Sequence, residues 1–332
     1  MRHGGDIYNA ARALECSAEE IIDFSSNINS YQSGKSMTLD PACIKPYGDS
    51  SYTDLKNAIG RRYGIRSDQT ALFNGATAAI SALMQQLDPK DVTLYVPLYG
   101  EYETAARHYG KRIHKIDRFS ALYQKPKQGS LVVFVNPATP DGTCYDVGKL
   151  LEIWREQQCT IIMDESFLEF EALRSVRQEI AHLPSLYIIQ SFSKFYGCAG
   201  VRIGAVFSQK SNIESLYTPL WNLSALDADF LKQRLADNDF VTESQKYHLE
   251  RKKELREILE ASGRFESIYE SCTNYILTHS PQGYRIYEQL LRSKILVRHC
   301  ESFDTLTRNH LRFAVKDQAS HQQLKRALHA LA

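Results

Sequence analysis

Short apolar segments alternate with segments of helical periodicity through the middle of the sequence, and this alternation restricts the fold more than any other feature. The apolar segments are rich in β-branched residues and predict buried strands at residues 92–96, 131–135, 160–163, 186–189 and 201–207. Between them, apolar residues recur every three or four positions at residues 55–63, 80–87 and 150–154, as in helices that bury one face. The alternation predicts an α/β fold with a mainly parallel sheet that is covered by helices on both faces.

The character of the sequence changes after about Tyr217. A polar stretch at residues 229–261 predicts one long helix with a solvated face. It is followed by predicted strands at 275–278, 295–297 and 311–315 and by helices at 285–292 and at the C-terminus, which is typical of a smaller α+β domain. We therefore divide the chain into an N-terminal arm at residues 1–30 that packs with the small domain, a large domain at 31–217 and a small domain at 218–332.

Charge and apolar content exclude several classes of function. A net charge of +1 provides no overall field that would attract nucleic acid or an anionic membrane. No run of about 18 apolar residues occurs and the polar N-terminus lacks an apolar signal core, so we expect a cytoplasmic protein without membrane contact. The seven cysteines and ten histidines lack the spacing of metal ligands, so we expect reduced thiols and no metal.

Polar residues that could bind a ligand or take part in catalysis follow two of the predicted apolar segments. Asn74-Gly75-Ala76-Thr77 comes after an apolar run and opens a helix, where glycine permits close approach and free N–H groups attract an anion. Asp164 directly follows a buried strand and is either a functional acid or a helix cap. Because ligands bind at the carboxyl ends of the strands in open α/β sheets, both segments are candidates for a site.

The segment around Lys194 combines an amine with groups that bind phosphate. Ser191 and Ser193 precede the lysine, and Arg202 lies eight residues beyond it. Hydroxyl groups and a forked guanidinium match the oxygens of a phosphate group. Burial and the neighbouring cation would lower the pKa of Lys194 and favour the neutral amine, which forms imines with carbonyl compounds.

These elements occur in a fixed order along nearly the whole chain: a glycine-containing helix opening, an aromatic residue, an Asn-Pro turn, an acid at a strand end, and Ser-x-Ser-Lys followed by an arginine. In this order they resemble the fold-type I pyridoxal-5′-phosphate (PLP) enzymes, the aspartate aminotransferase superfamily. The resemblance implies that the large domain binds PLP, that Lys194 holds it as a Schiff base and later moves protons, and that Asp164 keeps the pyridine nitrogen protonated. It implies a phosphate site made of Gly75, Ala76, Thr77, Ser191, Ser193 and Arg202.

The same resemblance assigns three further roles. Tyr99 would stack on the PLP ring as the third member of the catalytic set, with Tyr102 as the weaker candidate for this place. Tyr47 would reach the PLP phosphate of the neighbouring subunit, which implies a homodimer with shared active sites. Arg312 would bind the α-carboxylate of the substrate in a two-point contact.

Two positions depart from the family pattern, and both concern side chains that usually contact the ring hydroxyl of PLP. The usual Asn-Asn-Pro-Thr-Gly stretch is replaced by residues 136–142, which read NPATPDG and place Thr139 where the second Asn stands. Phe167 occupies the position of a tyrosine in the aminotransferases. These changes predict a cofactor environment that differs from that of a standard aminotransferase, with Thr139 as the cofactor contact.

Two branches of the superfamily fit best, namely threonine-phosphate decarboxylase and histidinol-phosphate aminotransferase. The segments at residues 2–7, 23–29, 164–167, 193–196 and 294–300 resemble the first branch, which serves cobalamin side-chain assembly, and so we favour decarboxylation. This resemblance implies a small phosphorylated amino acid as substrate, with four contacts in addition to Arg312: His3, Asn27, Asn136 and Arg298.

Two alternatives to the decarboxylase remain open at this point. Decarboxylation and transamination differ in which bond at the substrate Cα stands perpendicular to the cofactor ring, and small shifts of the same anion-binding residues decide between them. A non-catalytic binding protein built on this fold is the third interpretation. It would predict the loss of Lys194 or Asp164, and the sequence contains both.

Overall fold

The computed structural model of the protein describes residues 4–35 and 37–331. The helices in these residues are α1 (Ile7–Ala13), α2 (Thr53–Tyr63), α3 (Gly75–Gln86), α4 (Glu101–His108), α5 (Gly148–Glu156), α6 (Lys210–Ser215), α7 (Ala225–Ala236), α8 (Asn238–Ala261), α9 (Gly283–Arg292) and α10 (Gln318–Ala330). The strands are β1 (Ile22–Asp23), β2 (Thr70–Phe73), β3 (Asp91–Val96), β4 (Arg112–Asp117), β5 (Leu131–Val135), β6 (Thr160–Asp164), β7 (Leu186–Ser191), β8 (Gly204–Phe207), β9 (Ser267–Ile268), β10 (Tyr275–His279), β11 (Ile295–Leu296), β12 (Arg298–His299) and β13 (His310–Ala314). None of the described helices is both long and apolar enough to cross a lipid bilayer.

Seven of the described strands form one large sheet in the order β2-β8-β7-β6-β5-β3-β4. The strands β7, β6, β5, β3 and β4 are parallel to one another. In contrast, β8 is antiparallel to both β7 and β2. All five residues of β5 are buried, as expected for a strand that is covered on both faces. The mainly parallel sheet predicted from the sequence is confirmed.

The side chains of the sheet alternate between two hydrophobic cores. Val132 and Phe134 pack with α2, α5 and α7 on one face, and Val133 and Val135 pack with α3 and α4 on the other. This division follows from the period of two residues along a strand. A helical layer therefore covers each face of the sheet, as the alternation of the sequence predicts.

Four of the described strands form a second sheet, which is antiparallel and has the order β12-β13-β10-β9. Helices α9 and α10 and the second half of α8 pack against it. The N-terminal segment joins this part of the molecule, because β1 pairs in parallel with β11 and Phe24 is fully buried in the core of the small sheet. The N-terminal segment thus runs beside the small sheet, while the division of the chain into three parts stays a prediction.

Three sequence predictions about single elements are wrong. The stretch at 229–261 is two helices, because the Asp237 side chain accepts a hydrogen bond from the backbone N–H of Phe240 and caps the start of α8. The strand expected at 201–207 begins only at Gly204, since the backbone N–H of Arg202 donates to the Asp227 carboxylate and not to a neighbouring strand. The strand expected at 295–297 is shorter, because β11 ends at Leu296 and the chain enters β12 of the other sheet at Arg298.

Candidate active site

A cavity of ≈ 490 Å³ lies where the carboxyl ends of β6 and β7 face the N-terminal segment and the small sheet. Its position agrees with the rule that ligands of open α/β sheets bind beyond the carboxyl ends of the strands. Twelve of the predicted site residues line it: Asn27, Ala76, Thr77, Tyr99, Thr139, Asp164, Ser191, Ser193, Lys194, Arg202, Arg298 and Arg312. Residues from all three parts of the chain therefore contribute to one site.

The amine of Lys194 lies in this cavity and is less basic than an ordinary lysine amine. Burial is the main cause that lowers the pKa of Lys194 to about 8, and the positive charges of Arg312 and Arg202 lower it further, while Asp164 acts in the opposite direction. An amine with an ordinary pKa of about 10.4 is almost fully protonated at pH 7. With the lowered pKa, roughly a tenth of Lys194 is in the neutral, nucleophilic form at pH 7, far more than for an ordinary lysine.

Asp164 is held at the end of β6 by two hydrogen bonds. Its Oδ2 accepts from the hydroxyl of Tyr102 at 2.8 Å, and its Oδ1 accepts from the backbone N–H of Ser166 at 2.9 Å. Burial raises the pKa of this carboxyl group, and the two hydrogen bonds and the Lys194 charge oppose the rise. A buried carboxylate of this kind is most stable next to a cationic group in the cavity.

The start of α3 and Arg202 together form an anion site. Gly75 has φ +78°, and a Cβ atom on it would lie 2.7 Å from Nη2 of Arg202, so a larger residue would displace the guanidinium. A Cβ on Gly204 would lie 2.5 Å from the backbone N of Ala76. These two glycines let the guanidinium and β8 approach the start of α3, where free N–H groups attract negative charge.

Serine hydroxyl groups extend this anion site toward Lys194. The hydroxyls of Ser191 and Ser193 are 2.9 Å apart and both residues are buried on the cavity wall. A phosphate group would fit between these hydroxyls, Arg202 and the helix start. The Lys194 amine could react with the aldehyde of PLP, and the Asp164 carboxylate could pair with its pyridinium nitrogen. The residues present therefore fit PLP.

Tyr99 and Phe167 stand on the cavity wall near this centre. Tyr99 is partly buried, its hydroxyl interacts with Thr77, and burial raises the pKa of its phenol group. Its ring is therefore placed beside the proposed phosphate site. Phe167 packs edge-on against Tyr275, with ring centroids 5.2 Å apart, and so contributes an apolar surface to the cavity wall.

Two buried arginines of the small sheet line the cavity. Arg298 and Arg312 are directly opposite each other in the pairing of β12 with β13, and they are only 2% and 6% exposed. Burial, followed by the charge of Arg312, lowers the pKa of Arg298 to about 10, and burial also lowers the pKa of Arg312. Two like charges that are buried together favour the binding of anionic groups between them.

Neutral groups hold Arg312 in place. Its Nη1 donates to Oγ1 of Thr139 at 3.0 Å and its Nη2 donates to the Ser25 carbonyl oxygen at 3.2 Å, while the guanidinium lies 4.8 Å from the Tyr275 ring centroid. Its buried Nε has no hydrogen-bond partner among residues 4–35 and 37–331. Arg298 donates from Nη2 to the hydroxyl of Ser302 at 2.6 Å.

The remaining predicted residues lie in different places. Asn27 is buried on the cavity wall, and its Oδ1 lacks a hydrogen-bond partner in the described part of the chain. Both amide atoms of Asn136 bond to the backbone of Tyr145, so this side chain holds the loop after β5 together. Tyr47 is 83% exposed and packs on Trp221 with ring centroids 4.8 Å apart, and His3 lies outside the described residues.

A buried ion pair that the sequence analysis did not single out lies next to Thr139 on the cavity wall. Arg118 is 2% exposed and pairs with the fully buried Asp141, and its Nη2 donates to the carbonyl oxygen of Thr139 at 3.0 Å. The Thr139 side chain in turn accepts from Arg312. Arg118 follows β4 and Asp141 lies in the loop after β5, so only the order of strands in the sheet reveals that they meet.

We expect Asp141→Ala to lower the free energy of unfolding by about 3–5 kcal/mol, because it leaves the Arg118 charge buried without its partner. The matched control is Glu156→Ala, whose partner Lys125 is 3.4 Å away in a pair with side chains 64% and 63% exposed. This control should cost less than about 1 kcal/mol. Urea unfolding of both variants measures the difference, and equal losses of stability would contradict a structural role for the buried pair.

The family model for aminotransferase class I and II matches residues 19–331. The adenosylcobalamin biosynthesis bifunctional protein CobDQ of Leptospira interrogans is 29% identical over 97% of this chain, and the chain spans 40% of the length of that relative. The threonine-phosphate decarboxylase of Salmonella typhimurium is 25% identical, with 98% of this chain and 95% of that protein covered.

Histidinol-phosphate aminotransferases are similar to a comparable degree. The sequence of this enzyme from Methanothermobacter thermautotrophicus is 27% identical, with 94% of this chain and 89% of the relative covered. The crystal structure of the histidinol-phosphate aminotransferase from Clostridium acetobutylicum superposes with a TM-score of 0.81 at 24% identity, over 92% of this chain and 97% of the other. At this identity the superposition shows a common fold.

Proposed function

Since the chain belongs to the aminotransferase class I and II family, whose members use PLP, we propose that it is a PLP-dependent decarboxylase of L-threonine O-3-phosphate or a similar phosphorylated amino acid. The product would be an amino-alcohol phosphate, 1-amino-2-propanol phosphate in the case of threonine phosphate, for cobalamin side-chain assembly. The observation that carries the substrate class is the pair of buried arginines, Arg298 and Arg312, which face the cavity from adjacent strands.

The arginine pair supports a substrate with two anionic groups. After burial, the charge of Arg312 is the main cause that lowers the pKa of Lys194, and we assign Arg312 to the α-carboxylate. Arg298 donates to Ser302 and lies beside Phe303, and both of these residues belong to the loop between β12 and β13. We assign Arg298 to the phosphate. Asn27, with its buried Oδ1, would contribute a polar contact from the N-terminal segment.

The residues of the site would divide the work as follows. When bound, PLP supplies an electron sink for the negative charge that develops at the substrate Cα. Lys194 would hold the cofactor through Nζ and would deliver a proton from Nζ to the substrate Cα after the carboxylate has left as carbon dioxide. Asp164 would keep a proton on the pyridine nitrogen through Oδ2, which Tyr102 holds in position.

Arg312 would set the reaction type by orienting the carboxylate. A site that holds the carboxylate so that its bond to Cα breaks would favour decarboxylation, whereas a site that exposes the Cα proton to Lys194 would favour transamination. The contacts of Arg312 with Thr139 and Ser25 fix the direction of its guanidinium. Thr139, where relatives carry Asn, would therefore influence the choice of reaction as well as the cofactor.

Similarity to two relatives favours decarboxylation over transamination. The relative from Leptospira interrogans is named as a protein of adenosylcobalamin biosynthesis and that from Salmonella typhimurium as threonine-phosphate decarboxylase, and the matches span 97% and 98% of this chain. The second candidate function is that of a histidinol-phosphate aminotransferase, which relatives at similar identity support. A non-catalytic protein is disfavoured by the joint presence of Lys194, Asp164 and the anion site in one cavity.

Parallel assays of the PLP-loaded protein distinguish these functions. One assay contains L-threonine O-3-phosphate and follows carbon dioxide release, and the other contains histidinol phosphate with 2-oxoglutarate and follows glutamate formation. We expect turnover in the first assay and a rate at least about 100-fold lower in the second. Turnover in the second assay alone would replace the proposal with the aminotransferase.

We expect the two arginines to affect phosphorylated and unphosphorylated substrates differently. A desolvated hydrogen bond to a charged group contributes about 1.5–3 kcal/mol, so removing the substrate phosphate should lower kcat/KM at least about tenfold. Arg312→Ala should lower kcat/KM for every amino-acid substrate, whereas Arg298→Ala should penalise the phosphorylated substrate more strongly. Arg308→Ala, an exposed arginine on the same loop, serves as the control. Equal turnover of threonine and its phosphate ester would refute the assignment of Arg298.

We also propose a homodimer in which Tyr47 serves the neighbouring active site. Tyr47 is exposed beside the exposed Trp221 and outside the cavity of its own chain, as expected for a residue that acts across a subunit boundary. Mixed dimers of inactive Lys194→Ala chains and impaired Tyr47→Ala chains should regain activity, because one of the two sites then receives both native residues. An active monomer in sedimentation, or no recovery despite mixed dimers, would contradict this arrangement.

A further inference from the structure

Two cysteines lie where the loop after β5 meets the segment before β10, outside the residues assigned to catalysis. Cys144 belongs to the loop after β5 and Cys272 precedes β10 in the small sheet. The backbone N–H of Cys272 donates to the Gly142 carbonyl oxygen at 2.9 Å, and its Sγ lies 3.1 Å from the same oxygen. The side chains of Cys144 and Cys272 also interact with each other.

The two thiols differ in exposure and in acidity. Cys144 is exposed and Cys272 is partly buried. The interaction with Cys272 lowers the pKa of Cys144, and the same contact together with burial raises the pKa of Cys272. An accessible thiol with a lowered pKa next to a second thiol is the arrangement found in redox-sensitive cysteine pairs, because the thiolate is the form that oxidants attack.

This pair joins the same two segments that position Arg312. The loop that carries Cys144 also carries Thr139, which accepts a hydrogen bond from Arg312. Tyr275, three residues after Cys272, donates its hydroxyl to the Ala138 carbonyl oxygen at 2.7 Å and places its ring under the Arg312 guanidinium. A covalent link between Cys144 and Cys272 would therefore act directly on the support of the carboxylate site.

We propose that Cys144 and Cys272 are a peroxide-sensitive thiol pair whose disulfide reversibly lowers activity. The disulfide would shift the loop that carries Thr139, the residue that accepts a hydrogen bond from Arg312. The Cys144 thiolate attacks one oxygen of hydrogen peroxide, the O–O bond breaks, and sulfenic acid forms as hydroxide leaves. The Cys272 thiol loses its proton to that hydroxide, and its sulfur then attacks the sulfenic sulfur and releases the second hydroxide. That hydroxide takes up the proton that Cys144 had released, so two thiols and one peroxide give one disulfide and two waters.

The expected effect follows from geometry. A disulfide bond is about 2.0 Å long, which is much shorter than the contact between two thiols, so its formation draws the loop and the segment before β10 together. A displacement of about 1 Å in a group that orients the substrate lowers turnover by up to about 100-fold. We therefore expect oxidation to reduce kcat/KM by at least about tenfold and a thiol reductant to restore it.

The test uses the full-length, PLP-loaded protein treated with hydrogen peroxide under conditions that leave Cys144 unmodified in the absence of oxidant. Mass spectrometry of a non-reducing digest should reveal the Cys144–Cys272 cross-linked peptide, and dithiothreitol should remove it and restore activity. Cys144→Ser and Cys272→Ser should each keep the activity of the untreated wild type and resist the reversible loss. Cys43→Ser is the control and should respond as the wild type does.

Two results would overturn the inference. One is the absence of the cross-linked peptide while other cysteines oxidise. The other is a reversible loss of activity that persists in both serine variants. The cross-linked peptide forms independently of the substrate, so a failure of the decarboxylase proposal would leave this part of the test interpretable.

Discussion

Lys194→Ala should abolish turnover and covalent retention of PLP while the protein stays folded. The residue combines two functions in our account, since it holds the cofactor through Nζ and transfers the proton at Cα. Acid–base catalysis alone contributes about 10²–10⁴-fold, so the combined loss in kcat should be at least about 10⁴-fold. Lys253→Ala, whose side chain is 80% exposed, should retain wild-type activity.

The measurement has two independent parts. Borohydride reduction followed by peptide mapping should place the trapped cofactor on Lys194 in the wild type and find no trapped lysine in the variant. Circular dichroism and Tm should be close to those of the wild type, because a lysine that is desolvated and repelled by Arg312 and Arg202 contributes little to stability in its charged form. Retention of more than a tenth of the wild-type activity would end the assignment of Lys194.

Asp164→Asn should lower kcat by about 10²–10³-fold, which is the usual effect of removing one preorganised electrostatic group from an active site. Asparagine has nearly the same shape as aspartate but cannot keep a proton on the pyridine nitrogen by its charge. Because burial raises the pKa of Asp164, the carboxylate depends on a cationic neighbour, and the pyridinium of PLP would supply one. The effect should therefore appear in kcat more than in the KM of the amino-acid substrate.

Tyr102→Phe provides a graded comparison for Asp164→Asn. It removes the 2.8 Å hydrogen bond to Oδ2 and leaves the carboxylate charge in place. A single hydrogen bond to a charged group corresponds to about 1.5–3 kcal/mol, so the loss should not exceed about 150-fold and should be smaller than that of Asp164→Asn. The reverse order of the two variants in kcat would show that Asp164 acts in another way.

The strand-end residues were predictable from the sequence because their signal is local. Asp164 and Lys194 directly follow or lie close behind buried β-branched segments, and a parallel sheet brings such strand ends to one edge. Gly75 was predictable for the same reason, since it stands where an apolar run turns into a helix. Local pattern and known sheet geometry were together sufficient to bring these residues into one site.

Contacts between distant segments could not be predicted in this way. Tyr102 and Asp164 are 62 residues apart, and they meet because α4 packs over the sheet next to β6. The pairing of Arg118 with Asp141 depends on the strand order, in which β4 lies at the sheet edge beside β3. No periodicity in the sequence encodes these pairings.

Asn136 illustrates the opposite difficulty. The family resemblance implies a substrate contact for this residue, yet its amide bonds to the Tyr145 backbone through both polar atoms. Motif position identifies the loop correctly but does not distinguish a side chain that faces the cavity from one that stabilises the loop. Thr139 of the same loop lines the cavity and accepts a hydrogen bond from Arg312, while the substrate contact of Asn136 stays a prediction.

The central claim is that this site removes the carboxylate of a phosphorylated amino acid and keeps its nitrogen. The most direct measurement follows L-threonine O-3-phosphate labelled with ¹³C at the carboxyl carbon and with ¹⁵N in the amine, with unlabelled 2-oxoglutarate present. We predict one ¹³CO₂ released for each ¹⁵N-labelled 1-amino-2-propanol phosphate formed. Transfer of ¹⁵N to glutamate, with ¹³C retained in a phosphorylated 2-oxo acid, would contradict the account and identify the protein as an aminotransferase.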